Sequence, residues 1–281
     1  ITHILEKNKR PCEAGGKLGR PVLEFEPPKK NQAYIIELSS FQLELTKQAA
    51  FDIAVLLNIR PDHIDRHGTM EAYVSAKMRI FKKNRSGKKG IAIIGVDDID
   101  SRGIFDILKN NKNWNVIPVS VLRELTNGVF VKKGVILDAS QGEPDRICDL
   151  SRFPNLRGKH NHHNAACAYL AAKYSGVPKN IIVNSFETFH GLEHRRVRRW
   201  VRRVSKRVLL SIVGVSLDTA ESPAPLRVRR GAERGSRFLT GRRPPSSLKT
   251  WLGFPDGYPA DAHTSALTSS RSREVEYEMP L

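Results

Sequence analysis

The chain has 281 residues, 40% hydrophobic and 27% charged, with a formal net charge of +18. That apolar share supplies a buried core and excludes wholesale disorder. No apolar run approaches the roughly 20 residues that span a bilayer, so no membrane partner is expected. The three cysteines, Cys12, Cys148 and Cys167, are scattered and odd in number. They form neither a disulfide framework nor a zinc pattern and fit a reducing cytoplasm.

In chain order, ITHILEKN reads as the tail of a helix already under way, without an initiator Met or a signal-peptide layout. We therefore expect the chain to start partway through a longer protein. Residues 12–21 predict a short strand and a glycine turn. QAYIIEL (32–38), FDIAVLLNI (51–59) and GIAIIGV (90–96) are continuous apolar runs of strand length, the pattern of parallel strands buried on both faces. Residues 69–81 have helical spacing with Thr69 as N-cap. A helix over 99–110, a strand over 115–120 and a hairpin over 128–138 with its turn at 132–134 follow. Residues 161–174 predict an Ala-rich helix, and Pro178 at a first helical turn opens another, to about residue 189. The alternation predicts an α/β domain with a mostly parallel sheet over residues 1–191.

Near residue 195 the composition breaks. Residues 195–281 hold 18 of the 47 basic residues and 8 of the 29 acidic ones, and 16 of those 18 are Arg. RRVRRWVRRVSKRV reads as a basic helix and VLLSIVGVSL (208–217) as one strand. The rest of 192–281 has little periodicity and is expected to be poorly ordered.

Ligands of open α/β sheets bind at the carboxyl ends of the strands. Two strands here end in polar residues. The first runs into Glu37, Ser39 and Gln42, the second into Asn58, Asp62, His63, Asp65, Arg66 and His67. A carboxylate and an imidazole on neighbouring strand ends can reach one divalent cation, and Mg²⁺ takes oxygen ligands together with substrate phosphates. The structural alternatives are a helix-capping Glu37 and a loop histidine at position 63. HIDRH (63–67) and HNHHN (160–164) lack a second half with zinc-ligand spacing, and His162 and His163 read as solvated surface residues. Lys77 on a partly apolar helix face is either a snorkelling lysine or a desolvated, neutral, nucleophilic amine. No GxxxxGK[ST] phosphate loop occurs in the 281 residues.

ELSSFQLE (37–44), LNIRPDHIDRHGTMEAYVSAKMRIF (57–81), LRGKHNHHNAACAYLAA (156–172) and FHGLEHR (189–195) together resemble the ATP-dependent Mur ligases over about residues 1–195. ELSSFQLE is most similar to the branch that joins D-glutamate to UDP-N-acetylmuramoyl-L-alanine. The resemblance implies the central ATPase domain of a three-domain ligase, lacking its phosphate loop and the preceding UDP-binding domain. It implies Mg²⁺ ligation by Glu37 and His63, and by Lys77 as a carbamate. It implies ATP contacts from Asn161, Asn164 and Arg195, with Asn58, Ser39 and Gln42 lining the muramoyl substrate. The implied reaction is amide-bond formation through an acyl phosphate, in peptidoglycan precursor synthesis, in the bacterial cytoplasm, by a monomer.

Three departures from the family pattern stand out. Lys17 replaces a usual Asn and Arg60 a usual small polar residue. After Arg195 the expected Asp-Ser-Lys-Ala-Thr-Asn segment is absent, and we expect a shifted reading frame near residues 195 and 196. The chain as given is accordingly expected to be an inactive fragment without a nucleic-acid partner. The alternatives are a basic nucleic-acid-binding protein, or a non-catalytic nucleotide-binding remnant, built on a ligase core.

Overall fold

A computed structural model describes residues 1–27, 29–47, 49–82 and 89–191, and the backbone of 212–217. Arg195 and the remaining expectations for the basic tail lie outside the described residues. All the described residues belong to one compact unit.

The chain opens with helix α1 (Thr2–Lys7), strand β1 (Cys12–Gly16), strand β2 (Ala33–Leu38), helix α2 (Ser40–Leu45) and strand β3 (Ile53–Leu56). Helices α3 (Ile64–His67) and α4 (Met70–Met78) precede β4 (Gly90–Gly95), α5 (Ile99–Leu108) and β5 (Trp114–Ser120). Strands β6 (Val129–Lys132), β7 (Val135–Asp138) and β8 (Asp145–Asp149) lead to α6 (Lys159–Tyr174) and α7 (Lys179–Glu187). Strand β9 (Ile212–Leu217) comes from beyond residue 191 and joins the same sheet.

The sheet order is β1-β2-β9-β3-β4-β5-β6-β7-β8. β1 to β6 and β8 point one way, and β7 and β9 run against them. The sheet is thus mostly parallel in strand direction, as the apolar runs require. Side chains alternate between two cores. Ile53, Val55, Ile93, Ile117 and Val119 face a core with α1, α6 and α7. Ala54, Leu56, Ala92, Ile94 and Trp114 face the other, with α4 and α5.

Local chemistry explains the ends of these elements. Thr69 caps α4, accepting from the Ala72 amide at 3.2 Å. Lys133 and Gly134 both take left-handed φ, 49° and 84°, so a two-residue turn closes the β6–β7 hairpin in the hand that suits strand twist. Pro178 is the N-cap of α7 and does not lie inside its first turn. Helices α2 and α3 and strand β8 were not expected from the pattern. The two helices are six and four residues long, too short to show a helical period. β8, DRICD, is broken by charge and pairs with β7 through a bulge.

Two contacts fix α6 on the sheet. Asp138, at the end of β7, accepts from Tyr169 Oη at 2.7 Å and from Lys173 Nζ at 2.7 Å, both on α6. Its neighbour Ser140 donates to it through the amide at 2.9 Å. Burial alone would raise the Asp138 carboxyl; the Lys173 ammonium and the donors of Ser140 and Tyr169 outweigh it and hold it below its ordinary value. At the other end of α6, the strand β4 passes close beneath. A Cβ on Gly95 would lie 1.9 Å from the Leu57 carbonyl oxygen and 2.6 Å from the His163 ring.

Both contacts predict measurable losses in urea unfolding. Asp138→Ala leaves a buried hydroxyl and an ammonium without their acceptor and is expected to cost about 3 kcal/mol. The exposed Lys179–Asp145 pair, broken by Lys179→Ala, is expected to cost under about 1 kcal/mol. Because the folded Asp138 value is depressed, its stabilisation is complete above about pH 4 and disappears as the pH falls through that lower value. Equal acid sensitivity of parent and Asp138→Ala would contradict this. Gly95→Ala forces backbone against backbone and is expected to cost about 1–3 kcal/mol; an unchanged urea midpoint would contradict so close an approach.

Candidate functional site at the carboxyl edge of the sheet

β2 and β3 are apolar until their carboxyl ends, where the first polar side chains become affordable. Glu37 is the penultimate residue of β2, half-buried, and its carbonyl accepts from the Lys17 amide at 2.8 Å. Gly16 makes room for that crossing, because a Cβ there would sit 2.1 Å from the Glu37 carbonyl oxygen. Glu37 does not cap α2. Ser39 does, in a reciprocal capping box: its hydroxyl accepts from the Gln42 amide at 3.2 Å, and its own amide donates to Gln42 Oε1 at 2.9 Å. Ser39 and Gln42 are therefore engaged with each other in starting this helix.

α2, α3 and α4 are joined by a run of rings. Phe41 lies 4.9 Å from the His63 ring and 5.2 Å from the His67 ring, with the Arg66 guanidinium 4.6 Å from its centroid. His67 bonds Ser40 through Nε2 at 3.0 Å and lies 5.3 Å from Tyr73. Lys77 Nζ stands 4.9 Å over the Tyr73 ring. His63 starts α3 in the left-handed region at φ 55°, a conformation that a non-glycine residue holds only where its surroundings impose it. Its Nε2 lies 3.4 Å from Asp62 Oδ2, and its side chain is 40% exposed.

Lys77 is buried, at 2% exposure, so it does not snorkel. Its pKa is lowered to about 8, chiefly by burial and also by the nearby Lys17 ammonium, with Asp62 opposing. Roughly a tenth of this amine is therefore neutral at pH 7. Asn58, just past β3, has a buried Oδ1 that accepts no hydrogen bond from the described residues. An amide oxygen so placed is costly unless a ligand donor or cation meets it.

Next along the same edge, Asp97 accepts from Ser120 Oγ at 2.5 Å and from the Val121 amide at 2.8 Å. Asp98 caps α5 through the Ser101 amide at 2.8 Å and accepts from the Ile59 amide at 3.3 Å. It thereby holds the loop that carries Asn58. α6 begins here. Asn161 donates to the Arg157 carbonyl at 2.9 Å, and Asn164, one turn on, is exposed. His163, expected at the surface, is buried at 7% exposure against Gly95. Burial lowers its pKa, with Asp97 and Asp98 opposing. The expectation failed because HNHHN is polar throughout and only the docking of α6 on β4 decides which face is inside.

The structure thus gathers Glu37, Ser39, Gln42, Asn58, His63 and Lys77 around the ends of β2 and β3, with Asn161 and Asn164 beside the end of β4. Arg195 lies outside the described residues. Sequence reasoning missed Phe41 and Tyr73 as the packing that sets His63 and Lys77. The spacing carried a signal, since His63–His67 and Tyr73–Lys77 are each four residues apart, on one helical face. Among the described residues, no three His, Cys, Asp or Glu side chains gather to hold a metal ion by themselves, and no helix is long and apolar enough to cross a membrane.

Residues 17–172 match the family described as Mur ligase middle domain. A protein of Rhodospirillum rubrum named UDP-N-acetylmuramoylalanine–D-glutamate ligase is 43% identical over 197 residues, 70% of this chain and 41% of that protein. Proteins of the same name from Nitrobacter hamburgensis and Caulobacter sp. K31 are 38% and 40% identical over 195 residues, 69% of this chain and 41% of theirs. The chain spans about two fifths of the length of the curated relatives it matches. With the middle-domain match covering β2 to β8, their carboxyl edge and most of α6, the chain belongs to the Mur ligase family.

Proposed function

We propose that this edge is the ATP and muramoyl-substrate site of a ligase that joins D-glutamate to UDP-N-acetylmuramoyl-L-alanine, in peptidoglycan precursor synthesis in the bacterial cytoplasm. The observation that carries the reading is the buried amine of Lys77, set by Tyr73 beside the strand ends that bear Glu37 and Asn58. The relatives' name supplies the substrates. In the reaction a carboxylate oxygen of the muramoyl-alanine attacks the γ-phosphorus of ATP, giving an acyl phosphate and ADP. The amine of D-glutamate then attacks the acyl carbon, phosphate leaves, and the new amide nitrogen loses a proton.

The residues present fit Mg²⁺ in part. Glu37 offers a carboxylate oxygen and His63 a half-exposed imidazole, while Lys77 becomes an oxygen ligand only after its neutral amine adds CO₂ to form a carbamate. Mg²⁺ bound there would offset charge on the phosphate oxygens. The protein's own work is positional. Phe41 and Asp62 hold the His63 ring. Asp98 holds the Asn58 loop through the Ile59 amide, leaving the buried amide oxygen of Asn58 for a ligand donor. Asn161 and Asn164 take the adenine end, and Arg195 the phosphates.

The 281-residue chain lacks a GxxxxGK[ST] sequence, and on this reading it binds nucleotide without turning it over. With a fluorescent ATP analogue, Mg²⁺, D-glutamate and the muramoyl substrate, saturable binding is expected without phosphate release above background. Asn161→Ala is expected to weaken that binding about tenfold, the worth of one amide hydrogen bond. Binding indifferent to Asn161→Ala would contradict the nucleotide site, whereas phosphate release would contradict only the absence of turnover. With ¹³C-labelled bicarbonate, a carbamate resonance is expected in the parent and absent in Lys77→Arg. Its absence from the parent would remove Lys77 from the cation site.

A further inference from the structure

His163 is a buried titratable group to which the candidate site gives no task. It lies on α6 between Asn161 and Asn164, and its Nε2 is buried without a hydrogen-bond partner among the described residues. A polar atom so placed is costly unless it finds a partner. Burial lowers the His163 pKa against the pull of Asp97 and Asp98, and His160 on the same helix lowers it further. The ring is therefore neutral near neutral pH, with a proton on only one of its nitrogens.

Gly95 shows where Nε2 is aimed. A Cβ at this glycine would lie 2.6 Å from His163 Nε2 and 1.9 Å from the Leu57 carbonyl oxygen. Both atoms border the one small space that a residue without a side chain leaves open. With a lone pair on Nε2, two acceptors would face each other there. With the proton on Nε2, the pair is a donor and an acceptor. Leu57 precedes Asn58, and Asp98 holds the other side of Asn58 through the Ile59 amide at 3.3 Å. Asn58 thus stands between an amide that has its partner and a carbonyl that faces α6.

We propose that His163 is a positioning residue that couples the two halves of the ligand edge: its Nε2–H closes on the Leu57 carbonyl when nucleotide fixes α6, and so sets the peptide that carries Asn58. The inference rests on the reading of α6 as the nucleotide helix, through Asn161 and Asn164. Nucleotide there orders the first turns of α6, to which His163 also belongs. The hydrogen bond passes that order across β4 to the end of β3, where Asn58 Oδ1 awaits a ligand donor. His163 itself touches no reacting atom. The requirement is for a donor at Nε2, not for imidazole chemistry, so glutamine, whose amide nitrogen reaches the same region, meets it.

The full chain with a fluorescent ATP analogue tests this. His163→Gln is expected to bind the analogue within about twofold of the parent, and His163→Leu, which fills the space without a donor, about tenfold more weakly. Bound analogue is expected to slow hydrogen exchange at the Asn58 and Ile59 amides in the parent and in His163→Gln, but not in His163→Leu. Equal slowing in all three, or equal binding by the Gln and Leu variants, would overturn the proposal. If His163→Leu does not fold, imidazole ¹⁵N spectra of the parent with bound analogue decide. The His163 resonance, assigned by its loss in His163→Gln, is expected to report the Nε2–H tautomer; the Nδ1–H tautomer would overturn the coupling. Asn161→Ala separates the two readings. If it leaves binding unchanged, the nucleotide site fails and the coupling with it. If it weakens binding while His163→Leu behaves as the parent does, the coupling alone fails.

Discussion

Main-chain pairing in a sheet covered on both faces is the constraint from which the rest follows. β2, β3, β4 and β5 have helices on either side, so their side chains are apolar in both directions and alternate between two cores. Polar chemistry is excluded along their length and returns only where the strands end. Because these strands are parallel, their ends coincide, and Glu37, Asn58, Asp97 and Asp98 arrive along one edge. The site is a consequence of strand direction before it is a matter of particular residues.

The same constraint explains how the edge is held. Short helices α2 and α3 are too small to be stable by themselves, and a capping box and a run of stacked rings fasten them. Phe41 receives His63, His67 and Arg66; Tyr73 receives His67 and Lys77. Farther along, Asp98 ties the Asn58 loop to α5, and Asp138 ties α6 to the hairpin. Each tie uses a buried or half-buried carboxylate whose acceptor sites are filled by protein donors. Lys77 and Asn58 differ: one is desolvated and the other has a buried oxygen without a donor among the described residues. That contrast separates groups that hold the fold from groups available to a ligand.

The sequence by itself determined the central parallel strands of the sheet and the edge where chemistry collects, because long apolar runs flanked by polar residues admit few arrangements. Motif spacing also singled out Glu37, Asn58, His63 and Lys77. Tertiary structure alone decided the burial of His163, since HNHHN has no inward face until α6 docks on Gly95. It decided that Lys77 is desolvated, because SAKMRIF by itself does not say which face of α4 is covered. It decided that Ser39, not Glu37, caps α2. It decided, last, that 212–217 lies between β2 and β3. A strand period says what a segment can pair with, but which open edge it meets depends on a gap that only the assembled sheet creates.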